Sequence, residues 1–315
     1  MDFCIVITGE DREPDRFKES IKIYRKLLEE KFLSKVIYST TKENPITIDE
    51  FPKGFALLKS DSEEIGMGNF WIQTHQLEVA LNSLSSTQSI VLKTRPDVLI
   101  KAPFIMEIFK TIEEREVNCE KTGLSNKIWN PWFDLTKPFY IADECFAGKT
   151  SDLKRFINYK TKGYRSHFQG ITHVRRSIEP FLEHFPVLTD YLSNKNNCLR
   201  SISGGNKKEN CLKFLKKSEE YLTYLAAYYF ILNKYFLIRS KPNTMEFRGW
   251  TNCKSTINPE LGIEDNIKTI PFFISTFIIG YDNTFIKNVN NGYYKDKISQ
   301  KIYKTIKHHE SMLSK

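Results

Sequence analysis

Lys93-Thr94-Arg95-Pro96-Asp97 closes the apolar run Ser89-Ile90-Val91-Leu92. Such a run reads as a buried strand, so a guanidinium and a carboxylate fall where that strand leaves its sheet. In open α/β sheets, ligands bind beyond the carboxyl ends of the strands. Arg95 there can grip a phosphate, and Asp97 can hold a metal or a sugar hydroxyl. The same residues also fit a plain ion pair at a strand end. A second acidic pair, Asp143-Glu144, follows the apolar run Pro138-Phe139-Tyr140-Ile141-Ala142. Before it lies a loop rich in aromatics, Ile128-Trp129-Asn130-Pro131-Trp132-Phe133-Asp134. Sugar rings stack their C–H faces on aromatic planes, so Trp129, Trp132 and Glu144 are candidate acceptor contacts. Aromatics packed under a long loop are the competing reading.

The elements that must carry these groups alternate strand and helix through the first third of the chain. Phe3 to Thr8 reads as a continuous apolar strand, and Pro14-Asp15 opens a helix with Phe17, Ile21, Tyr24 and Leu28 at helical spacing. Val36 to Thr40 is the next strand, and Phe55 to Leu58 a third, after a loop marked by Pro45 and Pro52. Asn69 caps a helix to about Leu84, with Leu77, Ala80, Leu81 and Leu84 on one face. Ser89 to Thr94 is the fourth strand. This order predicts an α/β fold with a mostly parallel sheet covered by helices on both faces. A helix near Phe104 to Ile112 follows, and beyond about Ser151 the chain reads as mainly helical, with Ser218-Glu219-Glu220 opening a long aromatic helix to about Lys234. Three parts are expected: an α/β core over 1–150, a helical acceptor-side part over 151–280, and a basic helix or tail over 281–315.

Composition narrows the class. At 315 residues with 40% hydrophobic and 13% aromatic content, the chain is a folded protein with a substantial core. Its net charge of +9 points to an anionic partner: a nucleic acid, a phosphorylated metabolite or an acidic membrane face. Lysine-rich solvated surface accounts for the same charge. The six cysteines never form a Cys-x-x-Cys pair, which argues against a zinc ribbon, a redox motif or a disulfide scaffold. Cys4 and Cys145 sit in apolar runs and read as buried small hydrophobes, and free thiols fit a reducing cytoplasm. Phe3 to Ile7 reads as a first strand rather than a signal peptide. Leu222 to Ile238 contains Asn233 and Lys234, and Pro271 to Gly280 is short for a bilayer, so no transmembrane span is expected. The six histidines show no metal-ligand spacing, and Ser39 lacks a nucleophile elbow.

Taken in order, several motifs resemble the WavE family of bacterial lipopolysaccharide and capsule biosynthesis proteins, which look like glycosyltransferases of the GT-A type. They are Val36 to Thr41, Asn69-Phe70-Trp71-Ile72-Gln73, Val91 to Asp97, Ile141 to Gly148 and Ser218 to Leu222. The resemblance covers roughly residues 3–235 and implies a Rossmann-like GT-A fold. It implies a nucleotide-sugar donor held by Thr8, Gly9, Asn69, Gln73, Lys93, Arg95 and Asp97. It also implies a divalent ion, Mn²⁺ or Mg²⁺, on Asp97. The usual acidic motif carries two carboxylates, and here Arg95 stands at the first acid position.

An inverting transfer needs a carboxylate base for the acceptor hydroxyl, with Asp143 or Glu219 the candidates; a retaining course stays open. Glu219 also fits an N-terminal helix position stabilised by the helix dipole. The leading expectation is a cytoplasmic glycosyltransferase acting on an oligosaccharide or lipid-linked acceptor. Tyr281 to Lys315, with seven lysines against three acids, would hold it peripherally at the anionic inner membrane face. The alternatives are a nucleic-acid-binding protein, disfavoured because the basic residues form no stripe or known motif, and an inactive glycan-assembly scaffold.

Overall fold

The computed structural model describes residues 2–61, 70–114, 116–119, 124–131, 144–157, 231, 235–238 and 244–247. The chain divides into two compact units, one of Met1–Trp132, Ala142–Gln169 and Tyr235–Ser255, the other of Phe133–Ile141, Gly170–Lys234 and Thr256–Lys315. Every strand and helix below belongs to the first.

Its centre is β1 (Phe3–Thr8), β2 (Lys35–Thr41), β3 (Phe55–Ser60) and β4 (Ile90–Thr94). These pair parallel in the order β3, β2, β1, β4. β1 and β4 are almost wholly buried, as near-continuous apolar strands covered on both faces must be. The strand turn continues into β5 (Val98–Ile100). After β6 (Glu116–Cys119) and β7 (Leu124–Asn126), which form a separate hairpin, β8 (Ile128–Asn130) and β9 (Phe146–Lys149) extend the sheet. β9 runs antiparallel to both β4 and β8. β10 (Phe236–Ile238) lies parallel on β8 and closes a seven-stranded sheet, while β11 (Met245–Phe247) pairs antiparallel with β5.

The α/β architecture is therefore the expected one, with one reversed strand in a mostly parallel sheet. Three details differ. Ile128–Asn130, expected in a loop, is a buried strand. β5 is too short to stand out from its neighbours in sequence. Phe236–Ile238 and Met245–Phe247, expected within the mainly helical part, are strands that return to the first unit.

Helices α1 (Pro14–Glu29) and α3 (Ala102–Glu113) pack together on one face of the sheet. Phe17, Ser20, Tyr24 and Leu27 of α1 are buried at spacings of three and four, as are Phe104, Ile105, Ile108, Phe109 and Ile112 of α3. Ile5, Ile7, Val36, Tyr38, Ile90 and Leu92 meet them. The alternate strand residues Val6, Ile37 and Val91 are equally buried and face the other way. That face is covered by α2 (Phe70–Asn82), which packs on β1, β2 and β3, and by α4 (Thr150–Ile157), which packs on α2 and β9. Just past the end of α1, Lys31 has a left-handed φ of 57°, and the N–H of Phe32 returns to the Leu27 carbonyl at 2.9 Å. Cys4 and Cys145 are buried free thiols, and burial pushes the Cys4 thiol pKa up.

Asp152 ties α4 to the β6–β7 hairpin. Its carboxylate accepts from the Ser125 N–H at 2.9 Å, the Ser125 hydroxyl at 3.0 Å and the Asn126 N–H at 3.0 Å. Burial raises its pKa, and these bonds oppose the rise. Asp152→Ala leaves buried donors without an acceptor and should cost about 2 kcal/mol. Urea unfolding monitored by circular dichroism checks this; an unchanged midpoint would show that the hairpin does not depend on Asp152.

Candidate functional site

Because β1 to β4 run parallel, their carboxyl ends lie along one edge of the sheet. β9 runs the other way and begins at that same edge, with Phe146 opposite Lys93. The edge therefore collects Thr8 and Gly9 from β1, Lys93 and the Arg95–Asp97 turn from β4, and Glu144 just ahead of β9. α2 begins after β3 and brings Gln73 and Gln76 to the same place.

Arg95 and Asp97 form a two-pronged ion pair. Arg95 Nε donates to Asp97 Oδ1 at 2.8 Å, and an Nη donates to Oδ2. The parallel fork matches the two carboxylate oxygens and fixes the guanidinium plane. Arg16, in the first turn of α1, donates to the Asp97 carbonyl at 3.4 Å. The turn is held on its far side by β5, and the Val98 N–H bonds to the Arg95 carbonyl at 3.1 Å.

Gly9 faces this turn. A Cβ built on it would lie 4.0 Å from Pro96 Cδ, and its φ of +107° is open to glycine at little cost. The Gly9 N–H donates to Gln76 Oε1 at 2.9 Å, and its carbonyl accepts from the Tyr38 hydroxyl at 2.9 Å. Asn44 Nδ2 in turn donates to the Tyr38 hydroxyl at 3.2 Å and to Thr40 Oγ1 at 2.9 Å. Side chains from α2 and β2 thus clamp the peptide groups of Gly9 from both sides. With its N–H committed, Gly9 supplies a tight turn and a bare surface rather than a donor. Burial pushes the Tyr38 phenol above its usual range, with Asp11 and Glu10 adding to the rise and bonds to Thr40 and Asn44 opposing it.

Beneath α2 lies a buried polar layer. Thr8 and Gln76 are each 0% exposed, and neither Thr8 Oγ1 nor Gln76 Nε2 has a hydrogen-bond partner among the described residues. Ser39, beside Thr8 in register, donates to the Gln76 carbonyl at 2.8 Å. Lys93 is also buried, with Nζ 3.4 Å from Gln73 Oε1, 3.3 Å from the Glu144 carbonyl and 5.6 Å from the Phe146 ring centroid. A buried ammonium needs such partners, and the ring face adds a cation–π contact.

Of the residues expected in the site, Thr8, Gly9, Gln73, Lys93, Arg95, Asp97 and Glu144 come together here. Asn69, Trp132, Asp143 and Glu219 lie outside the described residues. Trp129 is corrected: it is 0% exposed, edge-on to Phe104, and belongs to the core. A sugar platform needs an open ring face. Asp97 as it stands is a poor fit for a metal ion, because each of its oxygens already accepts a hydrogen bond from the Arg95 guanidinium. Among the described residues, no group of three or more His, Cys, Asp and Glu side chains could hold one. Sequence reasoning missed Gln76, Tyr38 and Arg16. Gln76 was within reach, since it lies one turn before Ala80 on a face otherwise apolar.

No family model matches the sequence, and no curated protein does. The WavE resemblance accordingly rests on its motifs alone. Among solved structures, the chain is similar to a glycosyltransferase involved in the glycosylation of the major capsid of PBCV-1. That match has 9% identity and a TM-score of 0.30, over 52% of this chain and 68% of that one. A protein from Bacillus anthracis assigned as a glucose-1-phosphate thymidylyltransferase, in complex with sucrose, matches at 11% identity and a TM-score of 0.32, over 56% of this chain and 81% of that one. At such TM-scores neither likeness speaks for activity.

Tyr38→Phe should cost about 2 kcal/mol by deleting two hydrogen bonds, the one to the Gly9 carbonyl and the one from Asn44. The raised phenol pKa adds a pH signature. The stability it reflects is present below the unfolded phenol pKa of about 10 and falls as pH rises past it. Tyr38→Phe should flatten that alkaline decline without abolishing it, since the Tyr24 pKa is also raised by burial. Urea midpoints across alkaline pH read this directly, and equal slopes in both proteins would contradict the clamp.

Proposed function

We propose that this protein is a glycosyltransferase that moves a sugar from a nucleotide-sugar donor to a bacterial lipopolysaccharide or capsule glycan. The observation that carries this reading is the Arg95–Asp97 fork beside the clamped Gly9 turn, at the carboxyl edge of a parallel sheet. Such an edge is where α/β sheets bind ligands, and a guanidinium held in a fixed plane suits a phosphate. Gly9 admits a close approach at that point.

In the proposed reaction the bond between the sugar C1 and the donor phosphate oxygen breaks, and C1 bonds to an acceptor hydroxyl oxygen. The hydroxyl proton passes to a carboxylate, for which Asp143 and Glu219 remain the candidates. The departing nucleoside diphosphate keeps the electron pair, and Arg95 stabilises its growing negative charge. Thr8 and Gly9 would line the nucleotide, with Asn69 and Gln73 at its margin. Lys93 would act from below by fixing Gln73 and the Glu144 backbone. Trp132 and Glu144 would meet the acceptor. No helix among the described residues is long and apolar enough to cross a membrane. A cytoplasmic position, with the basic segment 281–315 resting on the inner membrane face, completes the proposal.

A thermal-shift screen of nucleotides and nucleotide sugars tests it, because a ligand that binds only the folded state raises apparent stability. One nucleotide class should stabilise the wild type, and Arg95→Ala should weaken that binding by about tenfold or more. If no nucleotide shifts the transition, the donor reading fails.

A further inference from the structure

At the strand end where the resemblance calls for a metal, the described side chains are arranged differently. We propose that the Arg95–Asp97 fork takes the place of a divalent ion: the guanidinium occupies both oxygens of the carboxylate and itself meets the phosphate. That it meets the donor diphosphate rests on the function proposed above. That it closes Asp97 to metal does not.

The geometry makes Asp97 a poor metal ligand and a good anchor. Mg²⁺ and Mn²⁺ bind through oxygen lone pairs, and here both carboxylate oxygens accept from Arg95. The Arg16 guanidinium reaches the carbonyl of the same residue at 3.4 Å. A divalent ion approaching Asp97 would thus meet two fixed positive charges, while the three side chains together already sum to a net positive charge. Exposure runs the same way. The Arg95 side chain is 23% exposed and that of Asp97 only 6%, so a ligand from solvent reaches the guanidinium before the carboxylate.

The turn is also braced against rearrangement. β4 holds it on one side, and β5 on the other is paired with β11 and tied to α1 through the Ser20 hydroxyl, 3.4 Å from the Val98 carbonyl. Arginine stays charged throughout the physiological range, so such a seat needs neither metal loading nor a pKa shift to hold an anion. Asp97 is then a positioning residue, which orients Arg95, and Arg95 is the group that touches phosphate.

Two titrations of the full-length chain decide the matter. In the first, MnCl₂ is titrated calorimetrically into nucleotide-free protein. In the second, inorganic pyrophosphate is titrated in EDTA, followed by melting temperature. The wild type should show no saturable Mn²⁺ binding at millimolar concentration, yet should bind pyrophosphate without metal. Arg95→Gln should weaken pyrophosphate binding by about tenfold or more. Arg95→Asp should acquire Mn²⁺ binding that Asp97→Asn then removes. Saturable Mn²⁺ binding by the wild type that Asp97→Asn abolishes would overturn the proposal, as would absence of pyrophosphate binding in EDTA. Both decisive titrations use the wild type, so misfolding of a variant does not blunt them. Pyrophosphate binding without any nucleotide-sugar response would keep the fork's role and remove the glycosyltransferase reading. A nucleotide-sugar response that requires Mn²⁺ at Asp97 would do the reverse.

Discussion

β1 is hydrogen-bonded along both of its edges, to β2 on one side and β4 on the other, in parallel register. That register sets Ile7 beside Tyr38 and Thr94 at the same height, so the residue after β1 and the turn after β4 must emerge side by side. A slip of one residue would turn Lys93 to the α1 face and Thr94 to the α2 face. The clamp on Gly9, the seat of Arg95 and the layer beneath α2 all depend on this alignment.

The edge so formed is costly to build and therefore informative. Lys93, Thr8, Gln76 and Asp97 are polar or charged groups held largely out of water, where each unmet bond costs free energy. The structure offsets much of this with bonds between elements: Gln76 to Gly9, Tyr38 to Gly9, Lys93 to the Glu144 backbone, Arg95 to Asp97. An apolar layer would have been the simpler way to hold α2 on the sheet. The polar arrangement instead fixes two turns at one edge, as a site that must be rigid before its ligand arrives requires.

Much of the sheet was legible in the sequence because long apolar strands and helices of regular spacing leave strong periodic signals. Phe17 and Tyr24 marked α1, and the unbroken Ile90-Val91-Leu92 marked β4. The three-residue strands β5, β8, β10 and β11 were not legible, since so few residues carry no period and their pairing is set by partners distant in the chain. Trp129 shows the same limit: in sequence it looked like a loop aromatic, while its place in β8 buries it. Arg95 and Asp97 could be read as walls of a site or as an ion pair, but not as the two-pronged fork they form, because a two-residue separation fixes neither side chain's direction. Tyr38 and Gln76 reach Gly9 only through the fold.

The central claim is that the carboxyl edge of β1 and β4 is where a nucleotide sits, and amide hydrogen exchange tests it most directly. The full chain would be compared with and without the nucleotide sugar that stabilises it most. The account predicts added protection in the peptides spanning Thr8 to Glu13 and Lys93 to Val98, with the amides of α3 unchanged. Protection confined to other segments, with both of these turns exchanging as in the free protein, would contradict it.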